Sequence, residues 1–270
     1  MISLKRDTKG NLVPAKGIRT RPSSIYSPHQ TDTFKISRSK FSDFLTCERC
    51  FYLDRVKGLS SPSMPGWTLN ETTDHLLKKE FDKCRDEGVA HRIFGEFGLK
   101  NVIPFSHPEM GKWRDSRSNG LQYQLDGSNI ILHGGVDDIW IDQENEQLIV
   151  VDYKSQANNR PLTPWMYLSA VHHQSYKVQM DFYAYLLSKM GFSISPTSYF
   201  YVCNADRNAD GFYGKMEFTE TLIPYSWDTT WLEPKLWAMV DILNSHDLPE
   251  SNESCENCAY GAQRAIMESS

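Results

Sequence analysis

The chain has 270 residues, a formal charge of −5 and 40% apolar residues, enough apolar material for a core. No apolar run approaches the roughly 20 residues of a membrane span, and Met1-Ile-Ser-Leu-Lys-Arg-Asp holds no apolar signal core. The expectation is a cytoplasmic protein, neither secreted nor embedded in a membrane. The net charge gives no global case for nucleic-acid binding, but it is uneven. Residues 1–40 hold nine Lys/Arg against two acids, a charge of +7, so the rest of the chain carries −12.

Residues 1–34 are polar and basic, rich in Pro, Gly and Ser, with no period. They read as a flexible or loosely docked arm, either a solvated tail or a phosphate-contacting one. Residues 35–270 read as a single domain. Ile36 to Leu59 predicts a short helix starting near Ser39 or Ser42, with Phe41, Phe44, Leu45, Phe51 and Leu53 on its apolar side. Cys47-Glu-Arg-Cys50 sits inside it or just after it. Ser60 to Gly66 is a loop. Thr68 to Arg85 predicts a helix on the spacing of Leu69, Leu76, Leu77 and Phe81, with His75, Asp74 and Glu80 also in it. Residues 86–120 are less regular and read as a surface connection.

The central stretch, residues 129–154, predicts strands. Ile130 to Leu132, Val136 to Ile141 and Leu148 to Val151 are β-prone, and Gln143-Glu-Asn-Glu146 is the turn between the last two. Carboxylates stand at the strand margins: Asp137 and Asp138 before one, Asp152 after the next, with Lys154 two residues on. A strand alternates faces, so Asp152 and Lys154 share a face and Tyr153 takes the other. With the antiparallel neighbour in register, Asp137 reaches the same face. Two carboxylates and one ammonium then converge at the end of a sheet. That set suits a hard cation such as Mg²⁺, which keeps open positions for water and phosphate. The lysine can orient the attacking water or stabilise charge on the phosphate.

Residues 155–173 predict a long loop with Pro161, Pro164, Trp165 and Tyr167, of a length that is usually functional or mobile. Tyr176 to Met190 predicts a helix with Tyr176, Gln179 and Tyr183 on one face. A Gln between tyrosines is the anomaly there. Gln179 either bonds a catalytic carboxylate, its water or a phosphate, or is a satisfied core Gln; Tyr183 can stack on a base or touch the backbone. Thr197 to Asn204 reads as a strand, Gly211 to Ile223 as one or two more, and Trp231 to Asn244 as a helix. The order ααβββαββα predicts an α/β or α+β fold with a mixed sheet.

Six cysteines without a signal peptide argue for reduced thiols or metal ligands. Cys84 and Cys203 read as packing residues. Cys47/Cys50 and Cys255/Cys258 are spaced so that each pair can grip one metal, and the plain inorganic reading is a tetrahedral four-cysteine zinc site.

Gly134-x-x-Asp137 followed by Asp152-x-Lys154 resembles the core of the PD-(D/E)xK nuclease superfamily. Gln179-Met-Asp-Phe-Tyr183 is similar to the Gln-x-x-x-Tyr helix motif of its RecB-like branch. The cysteine pairs resemble the clasp of its iron–sulfur members, CRISPR-associated adaptation nucleases among them. The resemblance spans roughly residues 36–260. It implies a restriction-endonuclease-like core, a mixed central sheet flanked by helices. It implies a metal-dependent deoxyribonuclease, a DNA exonuclease of repair, recombination or CRISPR-type DNA processing. Mg²⁺ or Mn²⁺ is then held by His75, Asp137, Asp152 and the Tyr153 carbonyl, with Lys154, Gln179 and Tyr183 completing the catalytic set; His75 is either that ligand or an exposed helix histidine, and Asp74 and Glu80 are its nearby acidic competitors. It implies a [4Fe–4S] cluster on Cys47, Cys50, Cys255 and Cys258, with Zn²⁺ as the alternative. The cysteines are partitioned two and two, where the family has one before the core and three after it; Arg264 stands where a third C-terminal cysteine would be sought. DNA, single-stranded or with free ends, is the implied partner, beside proteins of a repair or CRISPR complex. The alternative function is a catalytically silent nucleic-acid-binding or scaffold module of the same fold.

Overall fold

The three apolar segments between residues 129 and 156 form strands, and the sheet they join positions the candidate site. The computed structural model describes residues 4–64, 66–160 and 162–269. Residues 1–3 of the basic arm, Pro65 and Pro161 in the two predicted loops, and Ser270 lie outside the described residues.

The elements run β1 (Phe34–Ser37), α1 (Arg38–Thr46), α2 (Glu48–Arg55), α3 (Thr68–Glu87), α4 (Arg92–Glu96), β2 (Val102–Pro104) and α5 (Met110–Trp113). Next come β3 (Leu121–Gln124), β4 (Ile130–Gly134), β5 (Asp138–Asp142), β6 (Gln147–Gln156), α6 (Pro164–Ser169) and α7 (Gln174–Lys189). The chain closes with β7 (Thr197–Ala205), β8 (Phe218–Ser226), α8 (Leu232–Asn244) and α9 (Glu256–Ser269). This is the mixed α/β architecture expected. One sheet has the order β2-β5-β6-β7-β8 and the other β1-β4-β3. Packing divides the chain into two compact units.

The first unit comprises residues 1–66, 124–131 and 233–270. The single helix predicted from Ile36 to Leu59 is two, because Cys47 takes an extended conformation (φ −158°, ψ 108°) that ends α1 and starts α2. Phe41, Phe44, Phe51 and Tyr52 are buried there, with Leu236, Met239 and Leu243 of α8. Part of the basic arm is tied down: buried Tyr26 donates its hydroxyl to Asn244 Oδ1 at 3.0 Å. Arg19 pairs with Asp54.

The second unit comprises residues 67–123 and 132–232. In its five-stranded sheet β6 and β7 run parallel, and every other pair is antiparallel. A parallel step needs a crossover, which α6 and α7 supply. Ile149, Val151 and Tyr153 of β6 pack with Leu77 and Phe81 of α3, and Phe81 stacks on Trp140 at 5.4 Å. The alternate residues of β6 turn toward α7. The edge strand β2 falls in the stretch read as a surface connection; three residues ending in Pro104 are too short to show a period, and Pro belongs on an edge. The stretch read as a loop at 155–173 holds the six-residue α6, capped by the Thr163 hydroxyl.

Candidate active site

The site is built around the end of β6. Asp138 pairs with Val151 in the antiparallel register, so Asp137 stands one step further out, opposite Asp152. The backbone N–H of Tyr153 donates to Asp137 Oδ2 at 2.9 Å, which fixes that carboxylate at the strand end. Lys154 pairs with Asp152 Oδ2 on the same face. Asp152 is fully buried, whereas Asp137 keeps 23% of its side chain exposed.

Two like charges so close must differ in their proton affinity. Burial pushes the Asp152 carboxyl up to about 7; Lys154 opposes the rise and Asp137 adds to it. Burial also acts on Asp137, but Lys154 and Lys78 outweigh it and hold that carboxyl below its ordinary range. The Lys154 ammonium loses solvation by burial, yet Asp152 and Asp137 raise its pKa. Its Nζ lies over the Tyr176 ring, 4.7 Å from the centroid.

Helix α7 answers the anomaly of Gln179. Its Nε2 donates to Asp152 Oδ1 at 2.7 Å and to the Tyr183 hydroxyl at 3.3 Å. Gln179 is therefore a buried polar group satisfied by the buried carboxylate. Tyr183 is buried, with 3% of its surface exposed, so it has no open ring face for a base to stack on. Its hydroxyl braces Gln179 instead.

Helix α3 carries both candidates, His75 and its acidic competitor Asp74. His75 is exposed. Asp74, one position earlier, accepts from Lys78 Nζ at 2.8 Å, and the same Nζ lies 3.5 Å from Asp137. Burial raises the Asp74 pKa, and the nearby Asp137 charge adds to it. Asp74, Lys78 and Asp137 thus form one chain of charge.

Beneath the strand end lies a buried network with no counterpart in the sequence reading. Asp138 is fully buried and pairs with Arg85 and with Arg114, the latter at 2.8 Å. The Tyr153 hydroxyl donates to Asp138 Oδ2 at 2.7 Å. Tyr153 so links both acids of the Asp137-Asp138 pair, one through its amide and one through its hydroxyl. Two glycines, Gly135 and Gly120, have a steric reason. A Cβ on Gly135 would lie 2.7 Å from the Ser116 backbone, and one on Gly120 would lie 2.6 Å from the Gly134 carbonyl oxygen.

In the first unit Cys47, Cys50, Cys255 and Cys258 gather their sulfurs within 4.8 Å of one another, a group able to hold a metal ion. All six cysteines are free thiols. Cys84 and Cys203 stand apart from this group; Cys203 is buried in the core of the second unit.

The family model of the PD-(D/E)XK nuclease superfamily matches residues 68–263, well over half the chain, and the chain belongs to that superfamily. Among solved structures it is similar to the crystal structure of a "Putative exonuclease" from Eubacterium rectale, at 13% identity and a TM-score of 0.41, over 84% of this chain and 87% of that one. A likeness at that level establishes nothing about the reaction. No curated protein matches the chain in sequence. No helix among the described residues is long and apolar enough to cross a membrane.

Proposed function

We propose that this chain is a metal-dependent deoxyribonuclease that hydrolyses phosphodiester bonds in DNA presenting free ends. The observation that carries the reading is the strand-end group, in which Asp137, Asp152 and Lys154 meet and Gln179 holds the buried carboxylate. The donors fit a hard cation. They are carboxylate oxygens, those of Asp137 partly open to solvent, with the Tyr153 carbonyl in the same strand. Mg²⁺ or Mn²⁺ would be held by Asp137 and Asp152, with the Tyr153 carbonyl, and by Asp74 or His75 from α3. When bound, such an ion supplies Lewis-acid stabilisation of the charge that builds on the phosphate.

The chain's own residues do the rest. Lys154, cationic between two carboxylates, orients the attacking water and steadies the developing negative charge. Gln179 keeps Asp152 in one orientation, and the Tyr183 hydroxyl keeps Gln179 there. The Gln179–Tyr183 spacing supports a RecB-like branch. The biological setting we favour is DNA repair, recombination or CRISPR-type processing, with proteins of those complexes as partners.

End-labelled linear DNA, single- and double-stranded, incubated with Mg²⁺ or Mn²⁺ and a closed-circular control, tests the reading. Metal-dependent release of nucleotides from linear DNA is the expected result. Tight DNA binding without cleavage under any divalent ion would leave the silent binding module in its place.

A further inference from the structure

The two cysteine pairs are presented alike. Cys47 precedes α2 and its carbonyl accepts from the Phe51 N–H at 3.0 Å; Cys255 precedes α9 and its carbonyl accepts from the Ala259 N–H at 3.0 Å. In each pair the first cysteine sits at a helix N-cap and the second one turn inside. The N-terminal ends of both helices, which carry partial positive charge, thus meet the thiols. The loop before α9 is braced as well: Arg49 donates to the Pro249 carbonyl at 2.7 Å, and Asn252 Nδ2 to the Thr46 carbonyl at 2.9 Å.

The sulfur spacing separates two kinds of metal site. Cys47 Sγ lies 3.7 Å from Cys258 Sγ, and Cys50 Sγ lies 3.6 Å from Cys255 Sγ and 3.4 Å from Cys258 Sγ. One ion with four thiolates at about 2.3 Å in a tetrahedron sets the sulfurs about 3.8 Å apart. A four-iron cube carries each cysteine on a separate iron, outside the cube, so its cysteine sulfurs stand on the order of 6 Å apart. With every pair inside 4.8 Å, the group matches the first spacing and leaves no volume for the second.

We propose that α2 and α9 hold one tetrahedral Zn²⁺ through Cys47, Cys50, Cys255 and Cys258, in place of the iron–sulfur cluster implied by the family resemblance. Among tetrahedral four-sulfur sites zinc and iron–sulfur are the ordinary occupants, and the spacing selects the single ion. Four thiolates around Zn²⁺ carry a net −2, which the helix N-termini offset. Four protein ligands close the shell, so the ion is structural. It ties a helix near the start of the chain to one near its end, and its binding energy adds to folding of the first unit. The inference is independent of the nuclease reading.

The test uses the full chain purified anaerobically, with metal content by plasma mass spectrometry and X-ray absorption at the metal edge. The expected result is about one zinc per chain, one shell of about four sulfurs near 2.3 Å, and no broad absorption near 400 nm. Titrating the wild-type thiols with an organomercurial in the presence of a zinc-binding dye should release that zinc as four thiols react, which needs no variant. A Cys47→Ser/Cys258→Ser double variant should lose the zinc. Stoichiometric iron, a chain without stoichiometric metal, or full zinc retained in the double variant would each overturn the proposal.

Discussion

Gln179 donates from Nε2 to Asp152 Oδ1 at 2.7 Å, joining α7 to the end of β6, and Lys154 takes the other oxygen of the same carboxylate. A fully buried acid is thus held on both sides. One partner is neutral and fixes its orientation; the other is charged and offsets its burial.

That arrangement makes Gln179 a positioning residue. Gln179→Ala should cut the single-turnover cleavage rate by about 10–100-fold, the usual cost of losing a group that orients a metal ligand. Tyr183→Phe removes the hydroxyl that braces Gln179 and should lower the rate in the same direction by less. DNA affinity should hold in both variants, since neither side chain offers an open face. Rates per folded molecule equal to wild type in Gln179→Ala, with only stability lost, would mark Gln179 as a core residue.

The two candidates on α3 separate by substitution. Asp74 shares Lys78 with Asp137, while His75 is exposed. Asp74→Asn should therefore raise the Mg²⁺ concentration needed for half-maximal cleavage by about tenfold or more. His75→Ala should leave it within about twofold. The reverse pattern would return the α3 ligand to His75.

Asp138 carries structure, not chemistry. It is the buried carboxylate between Arg85 and Arg114, and it accepts the Tyr153 hydroxyl. Removing one partner of a buried charge group strands the others, at a cost of about 3–5 kcal/mol. Asp138→Ala should lose about that much in urea unfolding. A loss under about 1 kcal/mol would show that the arginines find other partners.

His91 sets a pH dependence. It is buried, stacks on Phe81 at 4.1 Å and meets Glu80 Oε2 at 3.1 Å. Burial lowers its pKa from 6.5, against the opposing pull of Glu80. Below that ordinary value the unfolded chain binds the proton and the folded chain does not. This contribution to stability is therefore full above pH 6.5 and declines as the pH falls to the folded pKa. The melting temperature of wild type should fall between pH 7 and pH 5 more steeply than that of His91→Asn. Parallel curves would assign the acid sensitivity elsewhere.

The shared face of Asp152 and Lys154 follows from the period of a strand, and Asp137 follows from the four-residue turn that sets the register of β5 on β6. The Gln179 position stood out because a polar residue interrupted a buried helix face. Asp74 was legible only as an acidic competitor of His75, and Lys78 was hidden, because an i, i+4 acid–lysine pair is the common dress of an exposed helix. Asp138 was hidden by adjacency, since strand alternation sends neighbouring acids to opposite faces and only tertiary packing shows which meets Arg85 and Arg114. Helix α9 was missed because it buries no residue on a core, so no apolar stripe announced it. The break at Cys47 was missed for the converse reason: Phe44 and Phe51 keep the apolar pattern running through a residue that is extended.

The most direct measurement is single-turnover cleavage of end-labelled linear DNA in Mg²⁺ by wild type and by Asp152→Asn, normalised to folded protein. Asparagine keeps the volume and still accepts from Gln179, but it removes the charge that would hold the ion. The rate should drop at least about 100-fold, since loss of groups that merely orient a metal ligand already costs about 10–100-fold. Equal rates in the two proteins would contradict the assignment of Asp137, Asp152 and Lys154 as the catalytic site.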